Sequence, residues 1–150
     1  MDSTDHLLAR AATRRAELKL TYAGALLPRE AFELWKQAPG AVLIDVRTKA
    51  EWDYVGRVPD ALEIEWNHYP SGRNAQFAAT LQSAAPGKTA PLLFLCRSGV
   101  RSAAAADLAT QLGYTGAINI LQGFEGDVDA SGHRNTVGGW RAAGLPWKQT

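Results

Sequence analysis

The chain has 150 residues, with 16 Lys and Arg against 15 Asp and Glu, and its formal net charge of +1 excludes the strong basic field of a nonspecific nucleic-acid or membrane binder. Hydrophobic residues make up 46% and charged residues 21%, which fits one globular domain and excludes disordered, fibrous and coiled-coil chains. The single cysteine cannot form an intramolecular disulfide or supply a thiolate zinc site, so we expect a reducing, cytoplasmic location. We predict no signal peptide and no membrane-spanning segment.

Residues 1–22 are predicted to form a helical extension in front of the main domain, residues 23–150. The helical pattern covers residues 5–19, where leucine and alanine lie toward one side and basic residues toward the other. Such a helix either packs on its own domain or binds a partner or a second copy of the chain. Amphipathic spacing mostly reports burial, which favours packing on the domain.

Strands and helices alternate through the rest of the chain. The runs AVLIDV at 41–46 and PLLFLC at 91–96 are continuously apolar, which indicates strands covered on both faces. The other predicted elements are helices over residues 28–37, 48–54, 74–85 and 102–114, strands over 61–66 and 117–123, and a short helix and turn over 138–147. This alternation predicts an α/β fold, with a parallel sheet and helices on both faces.

Cys96 ends the second apolar run and is followed by RSGVRS and then a helix. Ligands bind at the carboxyl edge of a parallel sheet, and a turn into a helix N-terminus directs backbone N–H groups toward an anion. Nearby arginines favour the thiolate over the thiol. We therefore predict that Cys96 is a nucleophile rather than an inert buried residue. The residues predicted to bind an anionic substrate around it are Arg97, Ser98, Gly99, Val100, Arg101 and Ser102.

Asp45 and Arg47 are two positions apart, so on a strand they face the same side near the same carboxyl edge. We predict that they form a structural ion-pair network, with Glu51 as a third member, that holds the loops; an added positive field from Arg47 is the alternative. No spacing of histidines or carboxylates indicates a metal site. Weaker candidates for the pocket wall are the loop residues Trp66, Tyr69, Arg73 and Phe124.

Four blocks of sequence, in this order and spacing, carry a resemblance to a known family: LIDVRTKAEWDYVGRVPDA at 43–61, LLFLCRSGVRSAAAADLATQLGY at 92–114, INILQGFEGD at 118–127 and GGWRAAGLPW at 138–147. Together they resemble the rhodaneses, specifically single-domain thiosulfate sulfurtransferase-like proteins. The resemblance covers about residues 24–148. It implies a mostly parallel sheet of about five strands and a cysteine that carries sulfur as a persulfide.

The resemblance also implies the chemistry of the partners. The donor would be a small sulfur-containing anion such as thiosulfate or a persulfide, and the acceptor a thiol, a sulfur-acceptor protein or, in an assay, cyanide. No metal or organic cofactor is implied, and neither nucleic acid nor membrane is expected as a partner. Arg57 departs from the family pattern, which often has histidine at that position.

Three other functions remain open from the sequence. Cysteine-dependent phosphatases and arsenate reductases use a similar loop with the pattern Cys-x5-Arg, but the sixth residue after the cysteine is Ser102 and the arginine comes one place earlier, at Arg101. A non-catalytic rhodanese-like binding module is less favoured, because such modules often lack the cysteine. A Cys–His hydrolase would need His68 or His133 within hydrogen-bond reach of Cys96.

Overall fold

A five-stranded parallel sheet with helices on both faces forms the centre of the computed structural model, which describes residues 2–149. The helices are α1 (Thr4–Leu18), α2 (Pro28–Gln37), α3 (Lys49–Tyr54), α4 (Phe77–Ala84) and α5 (Val100–Gln111). The strands are β1 (Gly24–Leu26), β2 (Val42–Asp45), β3 (Leu62–Glu63), β4 (Asn67–His68), β5 (Gly72–Arg73), β6 (Leu92–Leu95) and β7 (Ala117–Ile120). The sheet order is β1-β7-β6-β2-β3, and β4 and β5 form a separate antiparallel pair. The predicted α/β fold is confirmed.

The side chains of β6 alternate between two hydrophobic clusters, one on each face of the sheet. Leu92, Phe94 and Cys96 belong to the cluster under α4 and α5, whereas Leu93 and Leu95 belong to the cluster under α1, α2 and the C-terminal segment. All these residues are buried, which explains why the strand is a continuous apolar run. The central strand therefore ends just before Cys96 with both faces covered.

Helix α1 packs on the domain, across the edge strand β1. Leu7 and Ala11 are buried in the same cluster as Leu26 and Leu34. The backbone of β1 approaches α1 so closely that a side chain at Gly24 would collide with the Ala11 carbonyl. No helix in residues 2–149 combines the length and the apolar character that a membrane crossing requires.

The structure corrects the prediction at five places. Of the short helix and turn predicted over 138–147, the helix is wrong and the turn is present, since Gly139 and Gly144 adopt positive φ, which a helix does not accommodate. Strand β1 and the β4–β5 pair were not predicted, because they are only two or three residues long. The predicted strand 61–66 shortens to β3, and α5 begins earlier than expected, at Val100.

Candidate active site

The thiol of Cys96 lies inside the loop that joins β6 to α5. The residue is 1% exposed, and its Sγ accepts a hydrogen bond from the backbone N–H of Gly99 at 3.1 Å. Gly99 is the N-cap of α5 and has φ 111°, a conformation that side-chain-bearing residues rarely adopt. Glycine at this position thus lets the chain turn back so that an amide faces the sulfur.

Ser102 and Asn119 complete a hydrogen-bond ring with Cys96 and Gly99. The Ser102 Oγ lies 3.2 Å from the Cys96 Sγ and donates to the Asn119 Oδ1 at 2.6 Å. The Asn119 Nδ2 donates in turn to the Gly99 carbonyl at 3.2 Å. Ser102 and Asn119 are both buried, so this ring is a fixed part of the loop's support.

The backbone after β7 holds the loop from its other side. The N–H of Phe124 donates to the Cys96 carbonyl at 2.7 Å, and the N–H of Glu125 donates to the Arg97 carbonyl at 3.0 Å. Gly123 has φ 63°, and a Cβ there would lie 2.5 Å from the Cys96 carbonyl oxygen. Only glycine permits this approach, which accounts for the glycine in the block INILQGFEGD.

Arg101, on the first turn of α5, forms a two-pronged ion pair with Glu51. The guanidinium nitrogens donate to the two carboxylate oxygens at 2.7 and 3.0 Å. Burial raises the pKa of Glu51, but the hydrogen bonds and charge of Arg101 outweigh it and hold that pKa below its usual value. The Thr48 backbone and hydroxyl also donate to Glu51. Glu51 therefore connects α3 to α5. It was predicted as a third member of the Asp45–Arg47 network; its hydrogen bonds go to Arg101 and Thr48, and the charge of Arg47 also lowers its pKa.

Asp45 and Arg47 form a fully buried ion pair at the carboxyl end of β2. The Arg47 Nη2 donates to Asp45 at 2.7 Å and to the Gly56 carbonyl at 2.8 Å, and the Nε also donates to Asp45. The Phe124 ring lies 4.1 Å from the guanidinium carbon. Because Asp45 pairs with Leu95 in the sheet, this ion pair adjoins the start of the Cys96 loop.

A cavity of about 660 Å³ opens beside the loop. It is lined by the start of α3, the β4–β5 pair and the two arginines of the loop; its lining residues are Thr48, Ala50, Glu51, Asn67, His68, Tyr69, Pro70, Gly72, Arg97 and Arg101. Arg97 is exposed, and among residues 2–149 its guanidinium has no hydrogen bond or ion pair. It is thus a free cation in the wall of this cavity, whose lining does not include Cys96.

The other predicted residues are distributed around the site in different ways. Val100 is 77% exposed on the first turn of α5, and Ser98 is half-buried in the loop. Of the four weaker candidates only Tyr69 lines the cavity, while Trp66 and Phe124 are buried and Arg73 stacks on the Trp66 ring.

The histidines do not contact the Cys96 sulfur in the described part of the chain. His68 lines the cavity but bonds to Glu65 through its Nδ1 at 2.7 Å, and the backbone of His133 bonds to Asp129. The sulfur instead lies against Gly99 and Ser102. The arrangement lacks the Cys–His pair that a hydrolase of that type requires.

Two features of the site were not identified from the sequence: the residue Asn119 and the structural role of Gly123. Asn119 is the one polar residue in the apolar strand β7, AINI, and that break in the pattern is the signal that identifies it. A buried polar side chain in an otherwise apolar strand must find partners, and here they belong to the Cys96 loop. For Gly123, the only indication in the sequence is that it lies in the block INILQGFEGD, which resembles the family.

Comparison with known proteins identifies the family. The model of the rhodanese-like domain matches residues 29–130, so the chain belongs to the rhodanese-like family. An uncharacterized protein of Rickettsia conorii is 34% identical over 126 residues, covering 79% of this chain and 92% of the relative.

Two solved structures show the same fold. Rv0390 from M. tuberculosis has a TM-score of 0.78 and 44% identity, covering 86% of this chain and 99% of its own. A polysulfide-sulfur transferase homodimer from Wolinella succinogenes has a TM-score of 0.60 and 22% identity, covering 93% of this chain and 89% of its own. The predicted family is thereby confirmed.

Proposed function

We propose that this protein is a sulfurtransferase that carries sulfane sulfur on Cys96. The observation that carries this proposal is the position of the Cys96 sulfur at the N-terminus of the 12-residue helix α5, with the Gly99 N–H directed at it. No side chain caps this helix N-terminus, and its first turn contains no acidic residue. Its N–H groups and dipole therefore favour negative charge at the sulfur.

The reaction would proceed by two displacements. In the first, the Cys96 thiolate attacks the outer sulfur of thiosulfate or of a persulfide; a new S–S bond forms, the donor's S–S bond breaks, and sulfite or a thiolate leaves with the electron pair. In the second, an acceptor thiolate or cyanide attacks the outer sulfur of the Cys96 persulfide. That step releases a new persulfide or thiocyanate and restores the Cys96 thiolate.

Arg97 supplies the charge that would attract the donor. It lines the cavity and has no partner in the described part of the chain, so its charge is not neutralised by the protein. Arg101 lines the same cavity, but its guanidinium is already held by Glu51. We therefore assign recognition of the donor anion to Arg97 and the loop amides, and assign to Arg101 the fixing of the helix start.

A phosphatase reading has less support from the same geometry. Phosphoryl transfer to a cysteine needs a general acid for the leaving group. Glu51 is the one carboxyl side chain among the residues that line the cavity, and Arg101 keeps its pKa below the usual value, so it is ionised at neutral pH and has no proton to give. The loop is also one residue shorter than in the Cys-x5-Arg pattern, because Arg101 is the fifth residue after Cys96, and this too argues against a phosphatase.

The proposed setting is the cytoplasm, where a single reduced cysteine persists. We propose a thiol or a sulfur-acceptor protein as the physiological acceptor. Neither a cofactor nor a metal is required by the two displacements.

Intact-protein mass spectrometry after incubation with thiosulfate tests the proposal. Wild-type protein should gain one sulfur atom, which cyanide or an acceptor thiol then removes, and Cys96→Ser should gain none. Arg97→Gln should load more slowly at low thiosulfate concentration and reach the same final loading, with Arg15→Gln, an exposed arginine on α1, as the charge-matched control. Absence of any adduct on wild type with thiosulfate, persulfide and polysulfide would contradict the proposal.

A further inference from the structure

The hydrogen-bond ring of Cys96, Gly99, Asn119 and Ser102 fixes where each proton lies. The Gly99 carbonyl can only accept, so the Asn119 atom that faces it at 3.2 Å must be the Nδ2. The Asn119 Oδ1, which can only accept, therefore faces Ser102 at 2.6 Å. This contact takes the single hydroxyl proton of Ser102.

The Ser102 oxygen consequently faces Cys96 with a lone pair. The two atoms are 3.2 Å apart, so a neutral Cys96 donates its S–H to Ser102. Every donor in the ring then points in the same direction, from Cys96 to Ser102 to Asn119 to Gly99 and back to Cys96. From Cys96 through Ser102 and Asn119 to the Gly99 carbonyl these bonds are mutually reinforcing, because each one polarises the next.

Loss of the thiol proton breaks this order. A thiolate only accepts, and its stabilisation by Ser102 requires the hydroxyl to turn away from Asn119. The Asn119 Oδ1 would then lose the Ser102 donor in a buried position, since the residue is only 3% exposed. Asn119 and the Cys96 thiolate thus compete for one proton.

We propose that Asn119 is a positioning residue that sets the direction of the Ser102 hydroxyl and thereby determines when Cys96 gives up its proton and becomes a nucleophile. The inference deepens the proposed function, in that the same sulfur is the one that would carry the persulfide. It gives the buried amide of β7 a role that packing alone does not explain.

Other ionisable groups surround the ring, and none of them is substituted in the test. They are Arg97 on the loop, Arg101 with its partner Glu51, Asp45 with its partner Arg47, and Tyr22, whose hydroxyl faces the Asn119 amide. Burial raises the pKa of Tyr22, so it stays neutral through the range of interest. The arginine charges are the same in every variant that is compared.

The pH dependence of cysteine alkylation tests the proposal directly. The chain has one cysteine, so the rate of iodoacetamide modification reports Cys96 alone. Asn119→Leu frees the Ser102 hydroxyl to donate to the thiolate, and the midpoint of the profile should fall by about one pH unit, which is an about tenfold larger thiolate fraction well below the midpoint. Thr110→Ala, which removes another hydroxyl of α5, should leave the profile unchanged.

A double-mutant cycle separates positioning from a merely structural role. In the Ser102→Ala background there is no hydroxyl to redirect, so adding Asn119→Leu should shift the midpoint by less than about 0.3 units. An equal shift in both backgrounds, or a shift to higher pH, would overturn the proposal, since Asn119 would then act through the Gly99 carbonyl. Asn119→Ala serves if the leucine variant does not fold.

Infrared spectroscopy of the wild-type protein provides a second measurement. At a pH below the alkylation midpoint, the single S–H stretching band should lie at the lower wavenumber of a donating thiol and should move upward in Ser102→Ala. An unchanged band would overturn the proposal. Neither readout needs a sulfur donor, so a failure here is distinct from failure of sulfur loading.

Discussion

Cys96 accepts hydrogen bonds at two places, its backbone carbonyl and its sulfur, and these bonds come from different parts of the chain. The carbonyl accepts from the Phe124 N–H at 2.7 Å, while the sulfur accepts from Gly99 within its own loop. The main chain is therefore fixed by a neighbouring segment of the sheet edge, and the sulfur by the start of α5. This division lets the sulfur change its chemical state while the backbone bond from Phe124 to the Cys96 carbonyl stays in place.

Gly123→Ala should destabilise the protein and reduce sulfur loading. The new methyl group would lie 2.5 Å from both the Cys96 carbonyl oxygen and the Arg97 carbonyl carbon, so the loop must move. The positive φ adds backbone strain of about 1–3 kcal/mol. We expect a loss of several degrees in thermal midpoint and a marked loss of persulfide formation, measured by calorimetry and mass spectrometry.

Gly132→Ala is the matched control for this substitution. Gly132 also has a positive φ, 81°, but a Cβ there meets nothing within 4 Å. Gly132→Ala should therefore introduce the backbone strain without a steric collision, and sulfur loading of this variant should stay at the wild-type level. Equal effects of the two substitutions would mean that contact with the loop is not what Gly123 provides.

The sequence predicts the chemistry of individual residues better than it predicts their partners. Cys96 and Gly99 are recognisable because strand, turn and helix are consecutive. The partner of Arg101 is Glu51, 50 positions earlier, and the charges alone were equally compatible with an interaction between Glu51 and Arg47. Asn119 could have been noticed as a polar break in an apolar strand, but its partners depend on the neighbouring strand in the fold.

At the scale of elements, the Glu51–Arg101 pair joins the N-termini of two helices. Glu51 accepts from the Thr48 backbone at the start of α3, and Arg101 lies on the first turn of α5. The position of α5 relative to α3 determines the shape of the cavity between them. One ion pair therefore couples the cavity wall to the helix that carries the Cys96 loop.

Because of this pair, the free energy of unfolding should decrease as the pH is lowered into the acidic range. The pKa of Glu51 is lowered in the folded protein, so the unfolded chain binds its proton more readily. The stabilisation is complete above the unfolded value, near 4.5, and is lost as pH falls through the folded value. Glu51→Gln should therefore cost about 1–2 kcal/mol at pH 7 and progressively less below about pH 5, measured by urea unfolding.

Glu17→Gln is the control for Glu51→Gln. Glu17 is exposed on α1, and its substitution should change stability by less than about 0.5 kcal/mol at every pH. A difference between Glu51→Gln and wild type that stayed constant down to pH 3 would contradict the assigned titration.

The helices and strands whose type was predicted correctly are those in which one feature of the local sequence dominates. Strands β2 and β6 are apolar on both faces, and α2 begins at Pro28, so their type follows from the local sequence. Strand β1 has three residues and is a strand only because β7 pairs with it. The segment 138–147 has a helix-like mixture of Ala, Arg and Trp, but its glycines determine a turn.

At the scale of the whole molecule, two hydrophobic clusters share the central strands. The α1–α2 side includes Leu7, Leu93 and Trp140, all fully buried, so the N-terminal helix and the C-terminal segment close the same face. The boundary after residue 22 is a prediction from sequence, yet α1 supplies part of this core. The helix therefore contributes to the stability of the domain.

Leu7→Ala should test that contribution. Leu7 is fully buried, and truncation of such a side chain costs about 2–4 kcal/mol through lost burial and a cavity. Leu18→Ala, on the same helix but 55% exposed, should cost less than about 0.5 kcal/mol. Urea unfolding measures both, and equal costs would mean that α1 does not share the core.

The single cysteine has a consequence for how turnover ends. Within these 150 residues no second thiol exists to attack a persulfide on Cys96. Under the proposed function, a loaded chain would therefore have no thiol of its own to discharge it and would need an acceptor on another molecule. The lifetime of the loaded form would then depend on the concentration of acceptors. After a pulse of donor, the loaded fraction would decay only as acceptors became available.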